Sequence, residues 1–370
     1  MLANLRSRLT ALARATRIST IPKDAKVTEP QSERNDTVYF EGRMVSRKRI
    51  VLLTPRCSSA TCTMCPLPNE GLDPKYRGIT AENIIAQIEN SFASPGSNDC
   101  EVITLYNNGN FFSDNEIPPI ARRRIYGRIR ASNASVLIVE SLPQFITNEK
   151  IAEAKRFLGD KRLIVAIGLQ SSNDLVRELA INTTCTRLSF ERAVALLRNN
   201  GFGTQAFLMI KPPFVTEREA IIDTVQSIRY LASLGIYDPI LCTTRVAPNT
   251  VLELMHKAGH FNSPWIWTVV EVIKESAGVN LESKPRVVIS ELELESNPDS
   301  LCSSNCDRCS PRLIEAISEY NENRDLTTVS NIECACRKNY ETSVSEEDRI
   351  YGHLSIIERV ENFLNLPNVK

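Results

Sequence analysis

Between residues 50 and 244, short apolar runs alternate with stretches in which apolar residues return every third or fourth position. The runs are Ile50 to Thr54, Val102 to Tyr106, Val136 to Glu140, Leu163 to Gly168, Ala206 to Ile210 and Ile240 to Thr244. They have the length and β-branched content of buried strands. The stretches between them carry the helical period: Ala81 to Ser91, Ile117 to Arg130, Asn148 to Phe157, Asp174 to Ala180, Ser189 to Asn199 and Glu217 to Leu234. Six such units in succession predict an α/β fold, a parallel sheet curved into a partial (β/α)6 barrel with its chemistry at the carboxyl ends of the strands. Helical patterns follow over Thr250 to His260 and Trp265 to Glu275, then an apolar run over Val287 to Ile289. Glu346 to Leu364 reads as one C-terminal packing helix.

Ahead of the barrel, Leu2, Leu5, Leu9 and Leu12 recur at helical spacing, with Arg6, Arg8, Arg14 and Arg17 on the other faces and no acidic residue before Asp24. Three readings fit: an Arg-rich organellar presequence, an amphipathic helix docked on the barrel or on RNA, or a helix with a solvated basic face. Thr28 to Asp36 is polar and reads as a linker. The expected organisation is a basic N-terminal extension over 1–35, a barrel over 36–280 and a Cys-rich C-terminal metal-binding extension over 281–370.

Lys plus Arg and Asp plus Glu each number 44, so no overall basic field advertises nucleic acid. Arg122, Arg123, Arg124, Arg128 and Arg130 nevertheless group around the second barrel helix, as an RNA-facing patch or as a solvated helix face. No apolar stretch reaches the roughly 18 residues of a membrane span. The 11 cysteines fall mainly in two groups, within 57–65 and 302–336, with Cys100, Cys185 and Cys242 apart. Short spacings without a secretory signal favour metal over disulfides, and a reducing, cytoplasmic setting.

The first group forms a loop directly after the first apolar run, Cys57-x4-Cys62-x2-Cys65. A zinc knuckle needs four ligands, and His256 and His260 are far along the chain. Three thiolates instead suit a 4Fe-4S cube, holding three irons and leaving the fourth open to a ligand that is not protein. The amino and carboxylate groups of S-adenosylmethionine (SAM) can occupy that position, and one electron then cleaves its sulfonium to a 5'-deoxyadenosyl radical. Other strand ends bring polar residues to the same rim: Asn108, Gly109 and Asn110, then Glu140, Gln170 and Lys211. These are the candidates for holding SAM, with Gly109 allowing close backbone approach to a ligand. Each alone also reads as an ordinary turn residue.

The second group ends in Cys306-x2-Cys309 and Cys334-x-Cys336, the spacing of a closed four-thiolate zinc site. A second iron-sulfur cluster is the rival, with Cys302 as a spare fifth thiol. Pro264-Trp265-Ile266-Trp267 reads as a packed aromatic corner.

Taken together, the Cys-Thr-Met-Cys loop, Asn-Gly-Asn-Phe-Phe followed by Glu116-Ile117-Pro118, and Val139-Glu140-Ser141 resemble a known group. Ile167-Gly168-Leu169-Gln170, Lys211-Pro212-Pro213-Phe214, the Trp265 corner and the C-terminal cysteines extend the resemblance over roughly residues 40 to 340. The group is the archaeosine-biosynthesis radical SAM proteins, within the wider set that includes the elongator catalytic subunit. The resemblance implies a partial (β/α)6 radical SAM barrel, a SAM-bound 4Fe-4S cluster and radical chemistry on a modified guanine carried by tRNA. The chain departs from the pattern at Pro66-Leu67-Pro68 after the third cysteine, at Leu142 and at Thr183-Thr184.

Three functions are therefore compared. The first is a radical SAM enzyme that abstracts hydrogen from an unidentified biosynthetic substrate. The second is a tRNA-modifying radical SAM enzyme acting on a 7-deazaguanine-type base, and the third is a non-catalytic iron-sulfur protein. The enzyme readings require an electron donor of flavodoxin or ferredoxin type and a small-molecule or tRNA-borne substrate, and they admit a partner enzyme.

Overall fold

The structure, a computed structural model, describes residues 1–73, 78–93, 99–279, 285–288, 300–367 and 369. Helix α1 (Leu2–Ala15) precedes a hairpin of β1 (Ser32–Phe40) and β2 (Arg43–Val51). Then follow α2 (Leu67–Glu70), α3 (Ala81–Ser91), β3 (Val102–Tyr106), α4 (Pro119–Arg130), β4 (Val136–Glu140), α5 (Asn148–Leu158) and β5 (Arg162–Gln170). The chain continues through α6 (Arg187–Asn199), β6 (Gly203–Ile210), α7 (Glu217–Ser233), β7 (Ile240–Thr243), α8 (Val251–Lys257), α9 (Ile266–Ser276) and β8 (Arg286–Val288). It ends in α10 (Ser310–Asn323), α11 (Thr327–Ser330), α12 (Arg337–Tyr351) and α13 (Ile356–Leu364).

The eight strands form one sheet in chain order, with β1 antiparallel to β2 and every later neighbour parallel. Units β2 to β7 are the six β-α repeats of the partial barrel. Side chains alternate between the two faces of each strand. Ile50, Leu105, Leu137, Val139, Val165 and Ile167 point outward into the main core beneath the helices. Val45, Val102, Val136, Ile138, Ile164 and Ala166 point inward and, with Val38, fill part of the lumen. Arg162, at the start of β5, pairs with Glu41 at the hairpin tip, and its guanidinium lies 5.9 Å from the Phe40 ring. Contact between β5 and the hairpin tip shows that the sheet curls.

Five of the helices that follow the strands share a start signal, which α4, with Pro118 at its N-cap, lacks. Thr80, Thr147, Thr186, Thr216 and Thr250 cap α3, α5, α6, α7 and α8, each side chain accepting a backbone N–H of the first turn. Such a cap contributes about 1 kcal/mol, and it sets where each strand-to-helix loop ends. The strand-to-helix loops of the barrel other than the one after β3 are therefore pinned on their far side.

Several expectations change. Ser32–Phe40 is a strand where a linker was expected, and the first parallel strand is Arg43–Val51, so Leu52 to Thr54 already belong to the loop. Charged residues alternating through β1 and β2 hide both strands from an apolar-run search; Arg47 and Arg49 both pair with Asp36 across the hairpin. The turn Glu41-Gly42 has φ of 48° and 88°, the two-residue geometry that suits a right-twisted hairpin. Asp174 to Ala180 contains a single π-helical turn over Val176–Ala180. Glu346 to Leu364 is not one helix, because α12 stops at Tyr351 and Ser355 caps α13. The Val287 run is strand β8, while Ile289 lies outside the described residues.

Helix α1 docks on the protein itself. Leu5, Leu9 and Ala13 are buried in a cluster with Val251, Leu252, Met255, Val360 and Phe363. Its basic side chains also have partners: Arg6 donates to Asn182 Oδ1 and Thr183 O, and Arg8 to Leu364 O. Of the three readings of this segment, docking on the barrel is the one the structure displays.

Candidate active site

The cysteine loop leaves the carboxyl end of β2 and is tied down on both sides. Thr54 Oγ1 donates to Asn107 O at 2.7 Å, and Leu53 N donates to Gln87 Oε1 at 2.8 Å. At the other end Thr63 is fully buried, its Oγ1 donating to Ala180 O at 2.8 Å and its N to Ile181 O at 3.0 Å. Thr61 Oγ1 donates to Asn182 O at 2.8 Å. The loop is thus fixed by β3 on one side and by the segment after the π turn on the other.

Glu116 organises the Cys57 arm. It has no exposed surface and accepts from Ser58 N at 2.9 Å, Asn110 Nδ2 at 2.9 Å and Asn107 Nδ2 at 3.4 Å, and from Asn110 N. A buried carboxylate is tolerated only with such satisfaction. Asn110 Nδ2 also lies 3.5 Å from Cys57 Sγ, and its Oδ1 accepts from Leu142 N at 2.8 Å. The expectation that Gly109 clears space for a ligand needs correction. A Cβ there would fall 1.9 Å from Glu116 Oε2 and 3.1 Å from Cys57 Cα, so glycine makes room for the carboxylate and the cysteine loop.

The remaining rim residues divide. Asn108, with φ of 54°, turns its side chain to Gln31 Oε1 at 2.6 Å and Glu70 O at 3.1 Å. Glu140 ends β4 on the lumen face beside Ala166, and its carbonyl accepts Phe111 N at 2.8 Å. Gln170, with φ of 67°, ends β5 after a register shift and folds back over Gly168. Lys211 is buried elsewhere, its Nζ 2.9 Å from Glu217 Oε1 and 3.0 Å from Glu347 Oε1. Burial opposes its charge, but the two carboxylates outweigh it and hold its pKa above the usual lysine range. Asn110 therefore meets the cysteine loop directly, whereas Lys211 ties β6 to α7 and α12.

Burial pushes all three loop thiols up, Cys62 to about 11, with mutual repulsion adding to the effect on Cys62 and Cys65. The nearest compensating cation is unexpected. Arg17, just beyond α1, donates through Nη2 to Ala60 O at 3.1 Å and through Nη1 to Cys65 O at 3.2 Å. Beside it a cleft of about 700 Å³ is lined by Arg14, Arg17, Arg56 and the Cys57 to Ala60 arm. Nothing in the sequence links Arg17 to a loop more than forty positions away. Glu116 was visible only as part of a motif.

Among the described residues, the group of three or more candidate ligand atoms packed within 4.8 Å of one another is Cys306, Cys309, Cys334 and Cys336. Cys309 and Cys336 sit at the starts of α10 and α12. Their sulfurs stand 3.6 Å (Cys306 to Cys309), 3.6 Å (Cys306 to Cys334) and 3.4 Å (Cys309 to Cys336) apart. Those spacings approach the edge of about 3.8 Å of a tetrahedron with metal-sulfur bonds of about 2.3 Å, and far exceed a disulfide bond. The Cys309 N–H holds the Cys306 thiol down to about 6, while burial pushes Cys309 up. The aromatic corner closes the site, with Trp267 Nε1 3.4 Å from Cys336 Sγ and Arg337 4.9 Å above the Trp267 ring. The histidines take no part: His256 Nδ1 meets Phe261 O, and His260 Nδ1 lies 3.3 Å from Tyr351 Oη.

The four C-terminal sulfurs are packed as ligands of a single ion should be, whereas the loop offers three thiols, the number that suits a cube with one open iron. The donor sets therefore fit different groups. The arginines of α4 are largely neutralised: Arg122 pairs with Asp114 and Glu153, Arg123 with Glu153, and Arg124 and Arg128 with Glu89. Among the described residues no helix is long and apolar enough to cross a membrane.

Comparison with known proteins finds relatives of the sequence. No family model matches the chain. An uncharacterized protein of Methanocaldococcus jannaschii, MJ0550, is 28% identical over 319 residues, covering 85% of this chain and 86% of its own. The archaeosine synthase subunit beta of Methanosarcina acetivorans is 24% identical over 89% of this chain and 94% of its own length. Among solved structures, the archaeal Methanocaldococcus infernus Elp3 has a TM-score of 0.46 at 16% identity, over 66% of this chain and 59% of that one.

Proposed function

The chain resembles the radical SAM superfamily, in the group of the archaeosine-biosynthesis and elongator-like proteins, and from this premise we propose that it is a radical SAM enzyme. Cys57, Cys62 and Cys65 would hold a 4Fe-4S cluster, and Cys306, Cys309, Cys334 and Cys336 a structural zinc. Such a cluster, re-reduced by an electron donor, would supply one electron for reductive cleavage of the sulfonium C–S bond of SAM to methionine and a 5'-deoxyadenosyl radical, the agent of hydrogen abstraction from the substrate. The protein's own part is to hold and enclose. Glu116 and Asn110 fix the Cys57 arm, while Glu140 and Gln170 present polar groups at neighbouring strand ends for SAM. The observation that carries the reading is the three-thiol loop at the carboxyl end of β2, with its backbone tied on both flanks.

A specific observation favours a second, narrower reading, on a tRNA-borne 7-deazaguanine-type base: a relative aligned over 89% of the chain is an archaeosine synthase subunit beta. That name also supports a partner subunit. The neutralised arginines of α4 give it no help, so any RNA would bind elsewhere.

The test is anaerobic reconstitution, iron counting, and chromatography of SAM incubated with the reduced protein. Wild type should bind about four irons at the loop and release 5'-deoxyadenosine, and Cys57→Ala, Cys62→Ala or Cys65→Ala should abolish both. A triple variant that still cleaves SAM reductively would sink the reading. Salt-sensitive tRNA binding would separate the second reading from one with a small-molecule substrate.

A further inference from the structure

We propose that Arg17 is a positioning residue that makes helix α1 part of the metal centre, holding the cysteine loop in shape and raising the reduction potential of the cluster it carries. The inference rests on the cluster reading above and adds to it a role for the basic N-terminal segment.

The geometry has three parts. First, the Arg17 guanidinium spans the loop, donating to Ala60 O at 3.1 Å and Cys65 O at 3.2 Å, so one planar fork joins its first and last cysteine arms. Ala60 needs such a hold, because its φ of 44° is unfavourable for a residue with a Cβ. Second, α1 is anchored independently of Arg17. Leu5, Leu9 and Ala13 are buried, and Thr10 Oγ1 accepts from Asn182 Nδ2 at 2.9 Å, the same amide that donates to Thr61 O at 3.1 Å. Third, Arg17 faces all three loop thiols, and no carboxylate pairs with it among the described residues. Its buried Nε has no hydrogen-bond partner, so its charge is compensated by the loop rather than by an acid.

The sign follows from charge. Reduction by one electron, taken from a carrier of flavodoxin or ferredoxin type, makes a thiolate-ligated cluster more negative by one unit. A fixed cation nearby favours the reduced form, and net charge and hydrogen bonding set cluster potentials. In a half-buried site this attraction is screened less than at an open surface. Replacing Arg17 by a neutral residue should therefore make the cluster harder to reduce.

The experiment is a redox titration of the reconstituted full chain, followed by the spectrum of the reduced cluster, with iron counted in each sample. Wild type, Arg17→Gln and Arg17→Lys are compared. In Arg17→Gln the reduced-to-oxidised ratio at a fixed potential should fall about tenfold, which is about 59 mV for one electron. Arg17→Lys keeps the charge but not the fork, so its potential should stay near wild type while iron is released faster on dilution. Loss of iron from Arg17→Gln too fast for titration, with slower loss from Arg17→Lys, would also support a role for the charge. Equal potentials in wild type and Arg17→Gln at equal iron content would overturn the proposal, as would iron retention equal to wild type in both variants, which would leave the fork without a role in holding the loop. A wild-type protein that holds no cluster would instead refute the cluster reading, so the two failures are distinguishable.

Discussion

The two cysteine sites solve opposite problems with the same side chain. The C-terminal four are drawn within 4.8 Å of one another at two helix starts, with an indole N–H directed at one of the sulfurs. Every coordination position of a tetrahedral ion there is filled by protein, which leaves no vacancy for substrate. The loop 57–65 supplies three thiols, and its shape is imposed from outside by Glu116, Asn110, Ala180, Asn182 and Arg17. A closed site can be built by its ligands alone. An open one needs a scaffold, and the fold spends a buried carboxylate, two asparagines and a docked helix on it.

The largest test of that contrast exchanges the damage. Cys306→Ala or Cys309→Ala should release about one zinc and lower thermal stability and solubility, while about four irons and SAM cleavage persist in the folded fraction. Structural zinc in small thiolate sites is held by about 10–16 kcal/mol, so losing one ligand should loosen the whole α10 to α12 region. Trp267 offers a direct readout, since its fluorescence should change when the metal leaves Cys336. About eight irons and no zinc in wild type would break the contrast, because both sites would then be clusters.

A smaller effect is expected where the scaffold touches the loop. Glu116→Gln keeps the size but turns an NH2 toward one of two backbone donors, Ser58 N at Oε1 or Asn110 N at Oε2. Leaving buried donors opposed to a donor costs about 1–3 kcal/mol. The variant should therefore fold, melt lower and lose iron faster than wild type, with the zinc content unchanged. Iron retention equal to wild type would mean that the thiols, not the scaffold, set the shape of the loop.

How much of this was legible in the chain depends on the distance over which each feature acts. Strands β3 to β7 could be read because their buried runs are continuous, and the two cysteine groups because ligand spacing is local. Hairpin β1–β2 could not, since Arg47, Arg49 and Asp36 pair on the same face as Val38 and Val45 and interrupt its apolar pattern. Gly109 was rightly marked as a close-approach position, but what approaches is Glu116, which sequence proximity alone did not reveal. Lys211 shows the opposite error: a polar residue at a strand end, taken as facing a ligand, is held by two carboxylates from α7 and α12. Arg17 was counted only as one of several basic residues, for its partners at 60 and 65 are brought near by packing of Leu5, Leu9 and Ala13.

The smallest expected effect concerns the spare thiol. Cys302 precedes the C-terminal set by four residues, and its Sγ lies 3.8 Å from Ser300 O, outside the group of four sulfurs packed within 4.8 Å. A tetrahedral zinc has no fifth position to offer it, and its sulfur is directed at backbone. Cys302→Ser should therefore leave zinc and iron content unchanged and stability within about 0.5 kcal/mol of wild type, the range of substitutions away from special features. Metal analysis and a melting curve on one purified sample decide it. Should the serine variant lose metal from the C-terminal site, Cys302 would be an exchangeable ligand there. The contrast between a closed zinc and an open cluster would then give way to two iron-sulfur centres.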